Sequence, residues 1–84
     1  MLYRIQTENV NRDSIEKIVS HYFDGFTIID AIGYWQGIRE NSLIIEIACI
    51  HPSSDIEKIA FEIKIANKQQ CVLISAIESD FRFI

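Results

Sequence analysis

The sequence has no run approaching ~20 apolar residues, the length a membrane-spanning helix needs. Its first residues, Met1-Leu2-Tyr3-Arg4-Ile5-Gln6-Thr7-Glu8, lack the basic start and continuous apolar stretch of a signal peptide, so a cytoplasmic location is expected. Proline occurs once and glycine three times. That leaves no linker and no low-complexity segment, and residues 1–84 read as a single domain. Of two cysteines, Cys49 and Cys71, neither belongs to a CxxC pair and each sits in an apolar alternating run, which reads as two buried free thiols. The two histidines, His21 and His51, lack the i+4 or CxxC-type companion of a metal site, so no metal is expected. No serine sits in a glycine elbow and neither cysteine has a partner nearby in sequence. There is no GxGxxG and no P-loop. On these grounds no catalytic constellation is legible, and the expectation is a protein that is not an enzyme and needs no cofactor. Basic residues are also few, eight against twelve acids for a net charge of −4, which disfavours non-specific nucleic-acid binding.

What the chain does have is apolar mass: 49% hydrophobic residues, with five Phe, three Tyr and one Trp. That suffices for a core, although a domain this short buries only about 60 to 65% of its unfolded surface, and oligomerisation would add burial. Leu2 to Glu8 alternates, with Tyr3, Ile5 and Thr7 on one face, as in a strand with one wet face. Asn11 or Asp13 can cap a helix whose apolar stripe is Ile15, Ile18, Val19, Tyr22 and Phe23, ended by Asp24-Gly25. Phe26 to Trp35 is β-branched and aromatic, Gln36 to Asn41 is polar, and Ser42 to Ile50 is apolar again up to His51-Pro52, which reads as a long hairpin. Gly33 inside its first strand points to a bulge or a close approach.

Ser54-Asp55-Ile56-Glu57 has the form of a capping box, followed by Ile56, Ile59, Ala60, Ile63 and Ala66 at helical spacing, with Phe61 and Ile65 widening the stripe. Asn67 to Gln70 ends this helix. Cys71 to Ile77, apolar but for Ser75, reads as a buried or central strand, and the alternating tail Ser79 to Ile84 as a possible short fifth strand. The order βαββαβ predicts an α+β, ferredoxin-like sandwich: a four-stranded antiparallel sheet with both helices on one face. The other face stays uncovered, and an apolar patch there would mark a partner surface.

The most distinctive stretch is Gly33-Tyr34-Trp35-Gln36-Gly37-Ile38-Arg39-Glu40-Asn41-Ser42. Its aromatics either pack the sheet end, with Gly37 serving the turn, or stack on a planar ligand while Arg39 supplies a cation. Here the sequence resembles the CutA branch of the PII and CutA-like superfamily, on Tyr34-Trp35-Gln36-Gly37-Ile38-Arg39-Glu40 followed by Ser42-Leu43-Ile44-Ile45. Tyr22-Phe23-Asp24-Gly25-Phe26-Thr27-Ile28-Ile29-Asp30-Ala31 is similar to a small family of bacterial and phage proteins of the same layout. The resemblance implies a homo-oligomer, a trimer, with clefts between subunits that PII proteins use for nucleotides. The long exposed loop and basic triphosphate cluster of PII are missing here, as is the CutA metal-ligand set.

The reading that follows is a homo-oligomeric protein binding a small anionic or nucleotide-like ligand in intersubunit clefts. Tyr34, Trp35, Gln36, Arg39 and Glu40 are the expected contacts, and Phe81, Phe83 and Ile84 the expected oligomer interface. A phage context would imply counter-defence by sequestering a nucleotide signal. The alternative is an acidic protein-binding inhibitor or adaptor acting through the uncovered sheet face.

Overall fold

A computed structural model describes residues 1–84. The elements run β1 (Leu2–Glu8), α1 (Arg12–Tyr22), β2 (Thr27–Trp35), β3 (Ile38–Ala48), α2 (Asp55–Ala66) and β4 (Leu73–Ile77). The strands form one antiparallel sheet in the order β2-β3-β1-β4, the expected α+β, ferredoxin-like arrangement. No helix is long and apolar enough to cross a membrane.

The alternation in β1 works as a two-sided strand requires. Tyr3, Ile5 and Thr7 are buried, and across the ladder Leu43, Ile45 and Ile47 of β3 share that face. Both helices close over it. Ile15 and Val19 of α1 and Ile56, Ile59, Ala60 and Ile63 of α2 join the same core, with Ile18, Tyr22 and Phe23 packed at its margin. Each Ile, Val or Leu buried in this way contributes about 1.5–3 kcal/mol relative to exposure.

Several local expectations are corrected. Phe61 and Ile65 do not widen the α2 stripe, since both are 63% exposed on the side of the helix away from the sheet. Neither helix start is capped as its sequence implies. Asn11 takes a left-handed conformation (φ 55°, ψ 55°) and offers only its backbone carbonyl, to Ser14 N at 3.0 Å and Ile15 N at 3.2 Å. At α2 the Ser54 side chain makes no cap bond, and Ser53 Oγ accepts from Asp55 N at 3.2 Å instead. Helix α1 stops at Tyr22, ahead of Asp24-Gly25, because Phe23 is already extended. The hairpin turn is tighter than the polar run Gln36–Asn41 indicates. Gln36 (φ 52°) and Gly37 (φ 79°) alone form a two-residue type I′ turn, and Ile38 already belongs to β3.

β4 is an edge strand rather than a central one, and Cys71 is exposed in the loop before it. The apolar residues that mimic a central strand have another explanation: Leu73 and Ile77 pair with Gln6 and Leu2 on the helix-free face, where they remain exposed. The tail Glu78–Ile84 forms no fifth strand: no residue after Ile77 pairs with the open edge of β4 or with any other strand.

Ile59→Ala is expected to cost about 2–5 kcal/mol in chemical denaturation, as a large-to-small core change. Phe61→Ala, two residues on in the same helix but on its exposed side, is expected to stay within ~0.5 kcal/mol. A loss under ~0.5 kcal/mol for Ile59→Ala would mean that this stripe is not core.

Candidate functional site: a groove under the β2–β3 ribbon

The strands differ in length, and the site begins from that difference. Glu8 pairs with Ser42, and Asn9 N donates to Asn41 O at 2.8 Å, where the β1 ladder ends. Beyond it β2 and β3 continue as a two-stranded ribbon closed by the Gln36-Gly37 turn. Opposite the ribbon stands the loop from α2 to β4. A Schellman motif shapes it: Lys68 is left-handed (φ 52°), Lys68 N donates to Ile65 O at 3.4 Å, and Gln69 N donates to Lys64 O at 3.0 Å. This reversal turns Gln69 back onto β1, where its Oε1 accepts from Thr7 Oγ1 at 2.8 Å and from Glu8 N at 3.3 Å. Its Nε2 is buried with no partner.

Between ribbon and loop lies a groove of about 560 Å³, a volume typical of small-molecule sites. The ribbon contributes Gly33, Tyr34, Trp35, Gln36, Glu40 and Ser42, and β1 contributes Gln6, Thr7 and Glu8. The loop and the start of β4 complete it with Lys68–Leu73. One hydrogen bond spans the two walls, from Trp35 Nε1 to Gln70 Oε1 at 2.9 Å, and it fixes the indole plane at the groove's edge.

Gly33 is needed for this wall. A Cβ there would meet Ser42 Oγ at 2.5 Å, so the glycine admits the Ser42 hydroxyl beside the strand, a close approach rather than a bulge.

Of the residues expected at a ligand site, the fold brings Tyr34, Trp35, Gln36 and Glu40 together in the groove and leaves Arg39 outside its lining. The reason is parity. Arg39 pairs with Tyr34 and Glu40 with Gly33, so Trp35 and Glu40 share the groove face of the ribbon while the side chains of Arg39 and Tyr34 leave on the other, and Tyr34 borders the groove without sharing Glu40's face. Phe81, Phe83 and Ile84 lie in the tail, far from the groove in the sheet, with Phe81 and Phe83 in edge-to-face contact at 5.6 Å between centroids. Charges in the groove are Glu8 and Glu40 against Lys68. No group of three or more His, Cys, Asp and Glu side chains is placed to hold a metal ion. Cys49, by contrast with Cys71, is buried away from the groove, and burial pushes its thiol above the ordinary value while the N-terminal ammonium pulls the other way.

No protein-family model matches the chain, and no curated protein matches it. Solved structures do share its fold. A DUF3240 family protein from Shewanella baltica superposes with a TM-score of 0.68 at 16% identity, covering 99% of this chain and 94% of its own. A phage SAM lyase in its apo state gives 0.65 at 17% identity, covering 87% and 75%. A phage SAM lyase in complex with S-methyl-5′-thioadenosine gives 0.56 at 15% identity, covering 87% and 76%. Membership of the PII or CutA families finds no support among these matches.

The expectation that the chain is not an enzyme is corrected here. Its fold is also that of a lyase, so the lack of a nucleophile or acid–base pair in the sequence carries no argument against catalysis.

Two measurements check the groove's geometry. A double-mutant cycle of Gly33→Ala and Ser42→Ala is expected to give a coupling of about 0.5–1.5 kcal/mol, the scale of forcing a side chain off its rotamer, and additivity would place the two residues apart. An Ellman titration of the native protein is expected to modify Cys71 rapidly and Cys49 only on unfolding, and two equally fast thiols would contradict the burial of Cys49.

Proposed function

We propose that this chain binds and acts on a small adenosine-type ligand, neutral or cationic, in the groove between the ribbon, the end of β1 and the α2–β4 loop. The observation that carries the reading is the groove's composition: Trp35 on the same ribbon face as Glu40, with the carboxylate of Glu8 also in the lining. An indole held by Gln70 is a stacking platform for a planar base, worth about 1–3 kcal/mol per base. Amide groups of Gln6, Gln36 and Gln70 suit the hydrogen-bonding edges of a base and the hydroxyls of a ribose.

The charge balance argues against the anionic ligand that the sequence pattern implied. Phosphate recognition uses clustered cations or a run of backbone N–H groups at a helix start, and this groove has Lys68 alone, with Arg39 outside. Two carboxylates instead favour a positive centre. A sulfonium nucleoside combines the two demands, an aromatic base for the indole and a cation for the acids. It also carries its own leaving group. When the carboxylate of the substrate's own side chain attacks the carbon bonded to sulfur, a C–O bond forms as the C–S bond breaks, the sulfur leaves with the electron pair as a neutral thioether and no proton moves, so a site for such chemistry can lack an acid–base pair. The phage SAM lyase of the same fold, in complex with S-methyl-5′-thioadenosine, supports this choice of ligand class.

The test is a thermal-shift and calorimetric titration with S-adenosylmethionine, S-methyl-5′-thioadenosine and AMP, with chromatography for S-methyl-5′-thioadenosine released from the sulfonium. At a hundredfold excess over Kd a ligand should add about 2.7 kcal/mol to stability. S-adenosylmethionine or its thioether should bind at least ~10-fold tighter than AMP, a difference of about 1.4 kcal/mol. Trp35→Ala should weaken binding by about 1–3 kcal/mol. AMP binding best, or none of the three binding, would sink the reading.

A further inference from the structure

The acids of the groove stand on the sheet and its one base on the loop opposite. Glu8 ends β1 and pairs with Ser42, and Glu40 lies two residues before Ser42 on β3, so both carboxylates occupy the helix-free face. Diagonal neighbours of this kind in an antiparallel ladder are about 7–8 Å apart. Lys68 comes just before Gln69, whose Oε1 accepts from Glu8 N at 3.3 Å, so the loop is pinned at the end of β1 where the acids are. None of the three takes part in the chain's four ion pairs, which join Arg4 to Glu46, Arg12 to Glu16 and Asp30, and Lys58 to Asp55. Glu8, Glu40 and Lys68 thus line one cavity without an ion-pair partner in the chain.

Lys68 also stands where the backbone favours another residue. It takes the left-handed position after α2 (φ 52°), which in a Schellman turn usually belongs to glycine because a Cβ crowds that conformation. The turn itself needs no side chain there, since Lys68 N and Gln69 N make its bonds to Ile65 O and Lys64 O. What lysine adds at this position is an exposed ammonium in the lining of the groove. One compact ammonium is a poor match for a phosphate dianion and a good one for a single carboxylate.

We propose that Lys68 binds the carboxylate of an amino-acid side chain carried by the ligand, while Glu8 and Glu40 face its two cationic centres, the sulfonium and the α-ammonium. This rests on the sulfonium-nucleoside reading of the groove and narrows it to sulfonium nucleosides that carry a whole amino acid. Such a ligand has two positive groups and one negative, and the lining has two negative groups and one positive. A carboxylate has two oxygens, so one is held by Lys68 while the other faces the carbon bonded to sulfur. Discrimination follows from the same contact. A nucleoside without the amino acid gains nothing from Lys68, and a sulfonium amine without the carboxylate meets it as a like charge.

Calorimetric titration with three ligands tests the contact. S-adenosylhomocysteine has the ammonium and the carboxylate but no sulfonium, decarboxylated S-adenosylmethionine has the sulfonium and the ammonium but no carboxylate, and S-methyl-5′-thioadenosine has none of the three. None of them can be consumed by attack of a carboxylate on a sulfonium carbon. Lys68→Gly removes the ammonium at a position that suits glycine, so its melting temperature should equal or exceed that of the wild type. It should weaken S-adenosylhomocysteine by about tenfold or more, the scale of a lost charge-assisted hydrogen bond. S-methyl-5′-thioadenosine should stay within about twofold, and decarboxylated S-adenosylmethionine should bind equally well or more tightly. Lys68→Arg keeps the charge and should retain the preference for S-adenosylhomocysteine over S-methyl-5′-thioadenosine. Equal weakening of all three ligands by Lys68→Gly, or S-adenosylhomocysteine binding that it leaves untouched, overturns the proposal while the nucleoside reading stands. A wild type that binds none of the three overturns both.

Discussion

The open end of this fold depends on one mismatch of strand length. β3 has 11 residues and β1 has 7, so the ladder between them runs out at Glu8 and Ser42 while β2 and β3 continue with only each other. Within the sheet a strand pair is braced by the helices packed on it. In the ribbon that support is missing, and local chemistry replaces it. The Gln36-Gly37 turn has the left-handed backbone whose twist matches paired strands, Gly33 lets the two strands' side chains nest at Ser42, and Trp35 reaches across to Gln70. A single exposed hydrogen bond is worth only about 0.5–1.5 kcal/mol. The ribbon therefore belongs to the low-stability end of the molecule, where ligand-binding elements are drawn from.

The opposite wall is anchored far more firmly. Thr7 is the one buried polar residue of the core face, and its hydroxyl finds its partner in Gln69, which the Schellman turn delivers from the end of α2. Leaving a buried hydroxyl unpaired costs about 1–3 kcal/mol, so the loop is tied to β1 by a penalty larger than the bond itself. Asn67 extends the tie, its Nδ2 donating to Val10 O at 2.9 Å. The groove thus has one wall tied directly to the core and one wall that extends beyond it as a continuation of the β2–β3 ladder.

Much of this was legible from residue patterns, and the misses have physical causes. The β1 alternation and the two helical stripes are read correctly because burial on one face repeats at periods the chain cannot disguise. The hairpin turn is misplaced because Gln36 takes a left-handed conformation that glycine or asparagine usually occupies, and because Arg39, Glu40 and Asn41 look like loop residues although they sit in a strand with no cover. β4 resembles a central strand since its apolar residues face an uncovered surface, and composition cannot distinguish a covered face from a bare one. At the site, Tyr34, Trp35, Gln36 and Glu40 are adjacent in sequence and could be found together. Gln6, Glu8 and Lys68 to Gln70 come from other elements, and only the crossover through α2 brings them in. The one signal for them was the polar run Asn67–Gln70 directly after a helix.

Arg39 shows how a single position of register changes a functional reading. Read in line, Trp35 and Arg39 are four residues apart across a turn and look like two sides of one anion site. In the ladder Trp35 pairs with Ile38, Tyr34 with Arg39 and Gly33 with Glu40, so the cation and the carboxylate are sent to opposite faces. The groove receives the carboxylate. With Glu8 already there and Lys68 the one cation of the lining, the groove's charge does not suit a phosphate-bearing nucleotide, which is the ground for proposing a nucleoside instead. The cation is left on the opposite face with Ile32 and Tyr34, next along from Asp30, which pairs with Arg12. One alternation in one strand thereby sends Glu40 to the groove side of the ribbon and Arg39 to the side facing away from it.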